Sequence, residues 1–319
     1  MSIPDIKTFT SSANASHWVQ YRQLNPGAPH TLVFYYGAGG SSVVITLFRS
    51  FANTHSNVSI LCIDRWTQYS DVGKSTHAHT AAAQPGPSRL SDFSAITVEL
   101  LDSLNIQVFS VAAHSAGIYP LLGLIRQCGA EGRIRHAFPL CTHIPAAYTA
   151  SKAMSAMCTM PDFLFNTVTK MDSLPTNPML RRLVLRFVGS DKNERLHQKE
   201  FVDTPECRSL HQQYRPDTDQ AALDAERFFL DYRLVYCRLP EVNGDFLLKL
   251  YKEMEVHPEV KVTWFTSDKD AFFGPASVRR LFDDVDNPQV EVVNVASATH
   301  ADIYVRSDVW DRMYRELMQ

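Results

Sequence analysis

Over the first 144 residues, short continuous apolar runs alternate with longer stretches of helical spacing. His30–Gly37 (HTLVFYYG) is a run of strand length closed by a glycine. Asn57–Asp64 (NVSILCID), Ile106–Ala113 (IQVFSVAA) and Ile134–Leu140 (IRHAFPL) repeat the form. Between the first two, Ser41–Thr54 places Val44, Leu47, Phe48 and Phe51 at helical spacing. Phe93, Ile96, Leu100, Leu101 and Leu104 do the same beyond Ser91, whose hydroxyl is suited to cap that helix. A further helix is expected from about Gly117 to Cys128. Strands that are apolar along their whole length, separated by amphipathic helices, predict a parallel sheet covered on both faces. Ahead of it, Thr8–Thr10 and Trp18–Leu24 are expected to form an antiparallel edge.

From about Pro145 to Val256 the strand rhythm stops. The stretch reads instead as helices broken by prolines, at Ala150–Met160, Phe163–Met171, Met179–Val188 and Ala221–Arg238. Strands resume at Val260–Thr266 (VKVTWFT) and Val290–Val295 (VEVVNV), and a last helix follows Ser307. The expected organisation is a core made of residues 1–144 and 257–319, with 145–256 inserted as a helical cap. Five of the nine methionines fall between Met154 and Met179, with Met154, Met157 and Met160 at helical spacing. Ordinary packing accounts for them, and so does a deformable apolar wall over a ligand, because methionine adapts to irregular shapes.

Composition narrows the function classes. The chain has 319 residues, 45% hydrophobic and 20% charged, and a formal charge of −3 from 31 basic and 34 acidic side chains. That fits a globular protein with a sizeable core and leaves no cationic excess for a nucleic-acid backbone. No run approaches the roughly 20 apolar residues of a membrane helix, so no transmembrane segment is expected. Met1–Asp5 has neither the basic start nor the apolar stretch of a secretory signal. The six cysteines include no CxxC pair and suit buried free thiols, so the expected address is cytoplasmic and reducing.

The chemistry gathers at strand ends. Ala113-His114-Ser115-Ala116-Gly117 joins a buried strand directly to a helix. A serine on so sharp a turn sits in strained backbone and needs small residues two positions to either side, where strand and helix pass closely. Ala113 and Gly117 meet that need. A serine hydroxyl becomes a nucleophile only beside a base, and the base needs a carboxylate to orient it. Ser267-Asp268-Lys269-Asp270 follows one strand and supplies acids, of which Asp270 is preferred to Asp268. Ser297-Ala298-Thr299-His300 follows the last strand and supplies an imidazole.

A glycine-rich loop, Tyr36-Gly37-Ala38-Gly39-Gly40-Ser41, follows the strand that begins at His30. Glycines let main-chain N–H groups converge on one point, as a tetrahedral oxyanion requires, and the Ala38 and Ala116 amides are the natural pair. A dinucleotide loop would need a third glycine where Ser42 stands. Gly73-Lys74-Ser75-Thr76 lacks the earlier glycine of a phosphate loop, since position 68 is Gln68. His77 and His79 have no evident third metal ligand nearby, and His114 is given no catalytic role.

Taken together, the GAGGSS loop, Asp64-Arg65-Trp66, the AHSAG elbow, SDKDAF and the terminal ATHAD resemble the α/β-hydrolases over nearly the whole chain. The resemblance implies an α/β fold: a mostly parallel eight-stranded sheet with a helical cap inserted after the sixth strand. It implies Ser115 as nucleophile, His300 as base, Asp270 as orienting acid, and Ala38 and Ala116 as oxyanion donors. Two positions depart from the family pattern: Ala113 replaces the first elbow glycine, and Tyr36 replaces the usual histidine before the oxyanion glycine. The absence of an aspartate nucleophile argues against the epoxide-hydrolase and dehalogenase branches.

The expected activity is therefore a serine hydrolase acting on a small-molecule, partly apolar acyl substrate, above all a carboxylic ester, with no metal or organic cofactor. Lipid-droplet-associated lipid hydrolases, thioesterases, carbon–carbon hydrolases and acyl-transferring tailoring enzymes share the same triad. A ligand receptor that keeps the pocket without turnover is the reading from another class.

Overall fold

The computed structural model describes residues 4–15, 17–37, 42–64, 86–151, 158–159, 244–254, 257, 259–270, 272–285, 290–300 and 302–319. Eight strands form one sheet: β1 (Lys7–Thr10), β2 (Trp18–Leu24), β3 (His30–Tyr35), β4 (Val58–Ile63), β5 (Phe109–His114), β6 (Ile134–Leu140), β7 (Lys261–Thr266) and β8 (Val290–Asn294). Their spatial order is β1-β2-β4-β3-β5-β6-β7-β8. β2 runs antiparallel to both β1 and β4, whereas β4, β3, β5, β6, β7 and β8 are mutually parallel. The exchange of β3 and β4 puts β3 beside β5, so the loops leaving these two central strands meet at the same edge.

Burial on both faces explains why the central strands read as unbroken apolar runs. Val33 and Tyr35 of β3, Leu61 and Ile63 of β4 and Val111 and Ala113 of β5 face one core. Leu32, Phe34, Ile60, Cys62 and Ala112 face the other. The first core is covered by α2 (Gly86–Ser103), α3 (Ile118–Cys128), α4 (Gly244–Glu253) and α5 (Pro275–Asp284). The second lies under α1 (Arg49–Thr54) and α6 (Ser307–Leu317), where Phe34, Phe48, Phe51 and Trp310 pack ring against ring.

Several boundaries differ from expectation for local reasons. Ser91 does not cap a helix: α2 already begins at Gly86, with Pro87 in its first turn, where a fixed φ and a missing N–H cost nothing. The helix expected over Ser41–Thr54 opens as a 3-10 helix, Ser42–Phe48, through four consecutive β-branched residues, and becomes α-helical only at Arg49. β5 starts at Phe109, because Asn105 adopts a left-handed φ of 58° and the Arg133 guanidinium bonds the carbonyl oxygens of Ile106 and Gln107. The antiparallel edge, β6 and the last helix lie where the apolar pattern puts them.

Most of the stretch assigned to a cap lies outside the described residues, as do the Met-rich helices and the Gly73–Thr76, His77 and His79 positions. Its last helix, α4, packs into the first core through Leu250 and Tyr251. Among the described residues, no helix is long and apolar enough to cross a membrane.

Candidate active site

Three loops leave the carboxyl ends of β5, β7 and β8 at one edge of the sheet. The chain turns from β5 into α3 within three residues, Ser115–Gly117, forming a single turn of 3-10 helix. Ser115 has φ 52°, a left-handed backbone that a serine adopts at a cost of about 1–2 kcal/mol. Gly117 shows why the neighbour must be small: a Cβ there would lie 3.0 Å from the Tyr35 carbonyl carbon and closer still to its oxygen. Gly37 is similarly confined, its absent Cβ falling 3.0 Å from Ser115 Cβ and 3.5 Å from its Oγ.

The hydroxyl this turn presents meets the two groups that the sequence placed at distant strand ends. His300 Nε2 lies 3.1 Å from Ser115 Oγ, and His300 Nδ1 lies 3.0 Å from Asp270 Oδ2. Asp270 is placed by the turn after β7, where its Oδ1 accepts the backbone N–H groups of Phe272 and Phe273 at 2.8 and 3.1 Å. The Asp270 side chain is fully buried. Burial alone would raise its carboxyl, but the charge and hydrogen bond of His300, the Phe272 N–H and the Cys141 thiol together hold it below the ordinary carboxylate range. An ionised Asp270 accepts the Nδ1–H of His300, which leaves the Nε2 lone pair facing the Ser115 hydroxyl. Asp268 instead takes a hydrogen bond from Asn294 at 2.7 Å at the surface.

His300 is held from behind as well as from below. The His114 Nε2–H donates to the His300 carbonyl oxygen at 2.7 Å. The His114 ring stacks on Tyr36 and packs against Tyr304, whose hydroxyl lies 3.3 Å from that of Tyr36. Phe272 and Phe273 flank the imidazole at 5.6 and 5.7 Å between centroids. Tyr36 and His114 are thus part of the mount of the imidazole. Ala116 is buried in the helical turn that begins at Ser115, while Ala38 lies outside the described residues.

Two further residues stand at this edge, both just beyond β6: Cys141, one of the cysteines expected to be a buried free thiol, and His143, which the sequence did not single out. Cys141 is fully buried in a left-handed backbone of φ 42°, and burial, reinforced by the charge of Asp270, pushes its thiol well above the ordinary range, so it keeps its proton. The backbone N–H of His143 donates to the Ser115 carbonyl at 3.1 Å. Its ring meets the Tyr119 hydroxyl, and its carbonyl accepts the hydroxyl of Tyr251 from α4. Burial, reinforced by the charge on His300, lowers the His143 pKa to about 3, so the ring stays neutral. Both sit at the carboxyl end of a parallel strand, where ligand sites of such sheets form, and that position was the available signal.

No family model matches the chain, and no curated protein matches it. Solved structures do. A serine hydrolase from the polyaromatic-hydrocarbon-degrading bacterium Cycloclasticus zankles superposes with a TM-score of 0.60 at 11% identity, covering 98% of this chain and 97% of that one. An α/β-hydrolase enzyme from a Medee basin deep-sea metagenome library gives 0.59 at 13% identity, covering 98% and 97%. An AqdC variant, solved for recognition and ring-cleavage of the Pseudomonas quinolone signal, gives 0.59 at 13% identity, covering 98% and 99%. At such identities the likeness is one of fold.

Proposed function

We propose that this chain, an α/β-hydrolase by fold, is a serine hydrolase that cleaves an acyl bond, above all a carboxylic ester with an apolar portion. The supporting observation is the continuous relay Asp270–His300–Ser115, built from a left-handed serine and a fully buried carboxylate. Ser115 Oγ attacks the carbonyl carbon as its proton passes to His300 Nε2. The imidazolium so formed is stabilised by the ionised Asp270 beneath it. The oxyanion is stabilised by the backbone N–H of Ala116 and, on the neighbouring loop, that of Ala38, each donor contributing about 10²–10³ in turnover. Collapse expels the alcohol, which takes the proton from His300. Water, deprotonated by the same imidazole, then releases the acid and restores the serine.

In this reading residues 145–256 supply a helical cap, apart from α4, which packs on the sheet, and the methionines of that stretch contribute an apolar wall for the acyl group. The partner is a small molecule, and none of these steps draws on a metal or organic cofactor. Hydrolysis of nitrophenyl esters of rising acyl length tests the reading. We expect octanoyl esters to turn over faster than acetyl esters and Ser115→Ala to abolish both. Equal rates for the two chain lengths would remove the apolar subsite, and undiminished turnover by Ser115→Ala would remove the mechanism.

A further inference from the structure

The underside of the imidazole carries a second set of donors. The Cys141 sulfur, an Asp270 carboxylate oxygen and a His300 ring nitrogen all lie within 4.8 Å of one another. They come from three different loops, after β6, β7 and β8, and Cys141 and Asp270 are sealed from solvent. A lone buried cysteine is ordinarily a small hydrophobe. Cys141 differs in that its sulfur stands within 4.8 Å of both the Asp270 carboxylate and the His300 ring nitrogen, so it faces two further donors and not only apolar side chains.

We propose that Cys141, Asp270 and His300 form an inhibitory binding site for a thiophilic divalent cation of the zinc type. Thiolate, carboxylate and imidazole are the donors that tetrahedral zinc takes, at about 2.3 Å for sulfur and roughly 2.0–2.2 Å for nitrogen and oxygen. Donors on such an ion stand roughly 3.5 Å apart, so contraction by about an ångström closes the set, with water as fourth ligand. Hard cations such as Mg²⁺ or Ca²⁺ gain little from a thiolate and are not the expected occupants.

The inhibition follows from the imidazole tautomer. Nδ1 is the ring nitrogen that faces Asp270, and Nε2 faces Ser115. A cation on Nδ1 takes its lone pair, so the ring proton moves to Nε2; the thiol proton leaves to solvent, one proton per ion bound. Nε2–H then points at the serine hydroxyl and has no lone pair with which to accept its proton. The nucleophile loses its base without losing its place.

The inhibitory half of this inference rests on the proposed hydrolase activity, whereas the binding half does not. The test therefore reads both. Chelator-treated full-length protein is titrated with Co²⁺ for the thiolate-to-cobalt absorption band, and with Zn²⁺ for loss of nitrophenyl ester hydrolysis, each protein being referred to its own metal-free rate. Wild type is compared with Cys141→Ala and with Cys141→Ser, which preserves size, after circular dichroism has shown that each is folded. We expect the band in wild type alone and a Zn²⁺ concentration for half-inhibition raised at least about 100-fold in both variants. A band absent from wild type, or equally strong in both variants, would overturn the site. A band in wild type with ester turnover unaffected by Zn²⁺ would overturn the inhibition and leave the hydrolase standing. If no protein turns over any ester, the hydrolase reading fails while the band still decides the site.

Discussion

At Ser115 the backbone, not the side chain, carries the first cost of the site: a non-glycine residue held at φ 52° must be fixed by its surroundings. The hydrogen bond from His143 N–H to its carbonyl and the packing of Gly117 on Tyr35 supply that fixing. Asp270 carries the second cost, a fully buried carboxylate kept ionised by four donors. Replacing it by asparagine reverses the hydrogen-bonding sense towards His300 and favours the unproductive tautomer. We expect Asp270→Asn to lower kcat for a nitrophenyl ester by about 10⁴, and Asp268→Asn to change it by less than about threefold. The reverse ranking would return the orienting role to Asp268. The pair could be narrowed from sequence but not decided, because which acid turns inward depends on the loop bonds to Phe272 and Phe273. His143 adds a signature in stability. Its folded pKa of about 3 lies below the ordinary histidine value of 6.5, so the unfolded chain binds a proton that the folded chain does not. Stability is full above pH 6.5 and falls as the pH drops from there towards 3, by up to about 1.4 kcal/mol per pH unit from this residue. Chemical denaturation of wild type and His143→Gln between pH 7 and 4 checks this: the variant's profile is expected to be flatter, and parallel profiles would contradict it.

Strands and turns did most of the positioning, and strands were also the elements most legible in the sequence. A strand buried on both faces must be apolar throughout, so β3, β4, β5 and β6 announce themselves by composition alone. Helix starts were less legible. Ser91 has the chemistry of a cap but lies inside α2, since the packing of Leu90 and Phe93 and the proline in the first turn extend the helix upstream. The elbow was legible because its geometry demands particular residues, and Gly117 shows how strictly. Gly117→Ala forces β3 and the start of α3 apart; we expect a loss of about 2 kcal/mol of stability and at least about tenfold in ester turnover. Thermal unfolding with wild-type midpoint and rate would show that the close approach is not required. Cys141 was legible only as a buried thiol and His143 not at all, because no motif surrounds them and their relation to Ser115 and Asp270 exists only once β6 lies between β5 and β7.

At the scale of the molecule, the sheet brings residues 115, 270 and 300 to one edge although long stretches of chain separate them. The same architecture recurs in proteins with 11–14% identity over nearly the full chain, so the fold persists where side-chain identity does not. In this chain the alternation of buried strands with helices, together with the few residues at the elbow, is the part of the fold that the sequence makes plain. From the middle of the chain, only helices and a cluster of methionines were legible in the sequence. The central claim, that Ser115 is an activated nucleophile, is tested most directly by a fluorophosphonate probe, which forms a covalent adduct only with a serine whose base is in place. Intact-mass analysis of the labelled protein is expected to show one adduct on wild type and none on Ser115→Ala. An unlabelled wild type would favour a receptor that kept the pocket without the chemistry, and a labelled Ser115→Ala would move the nucleophile elsewhere.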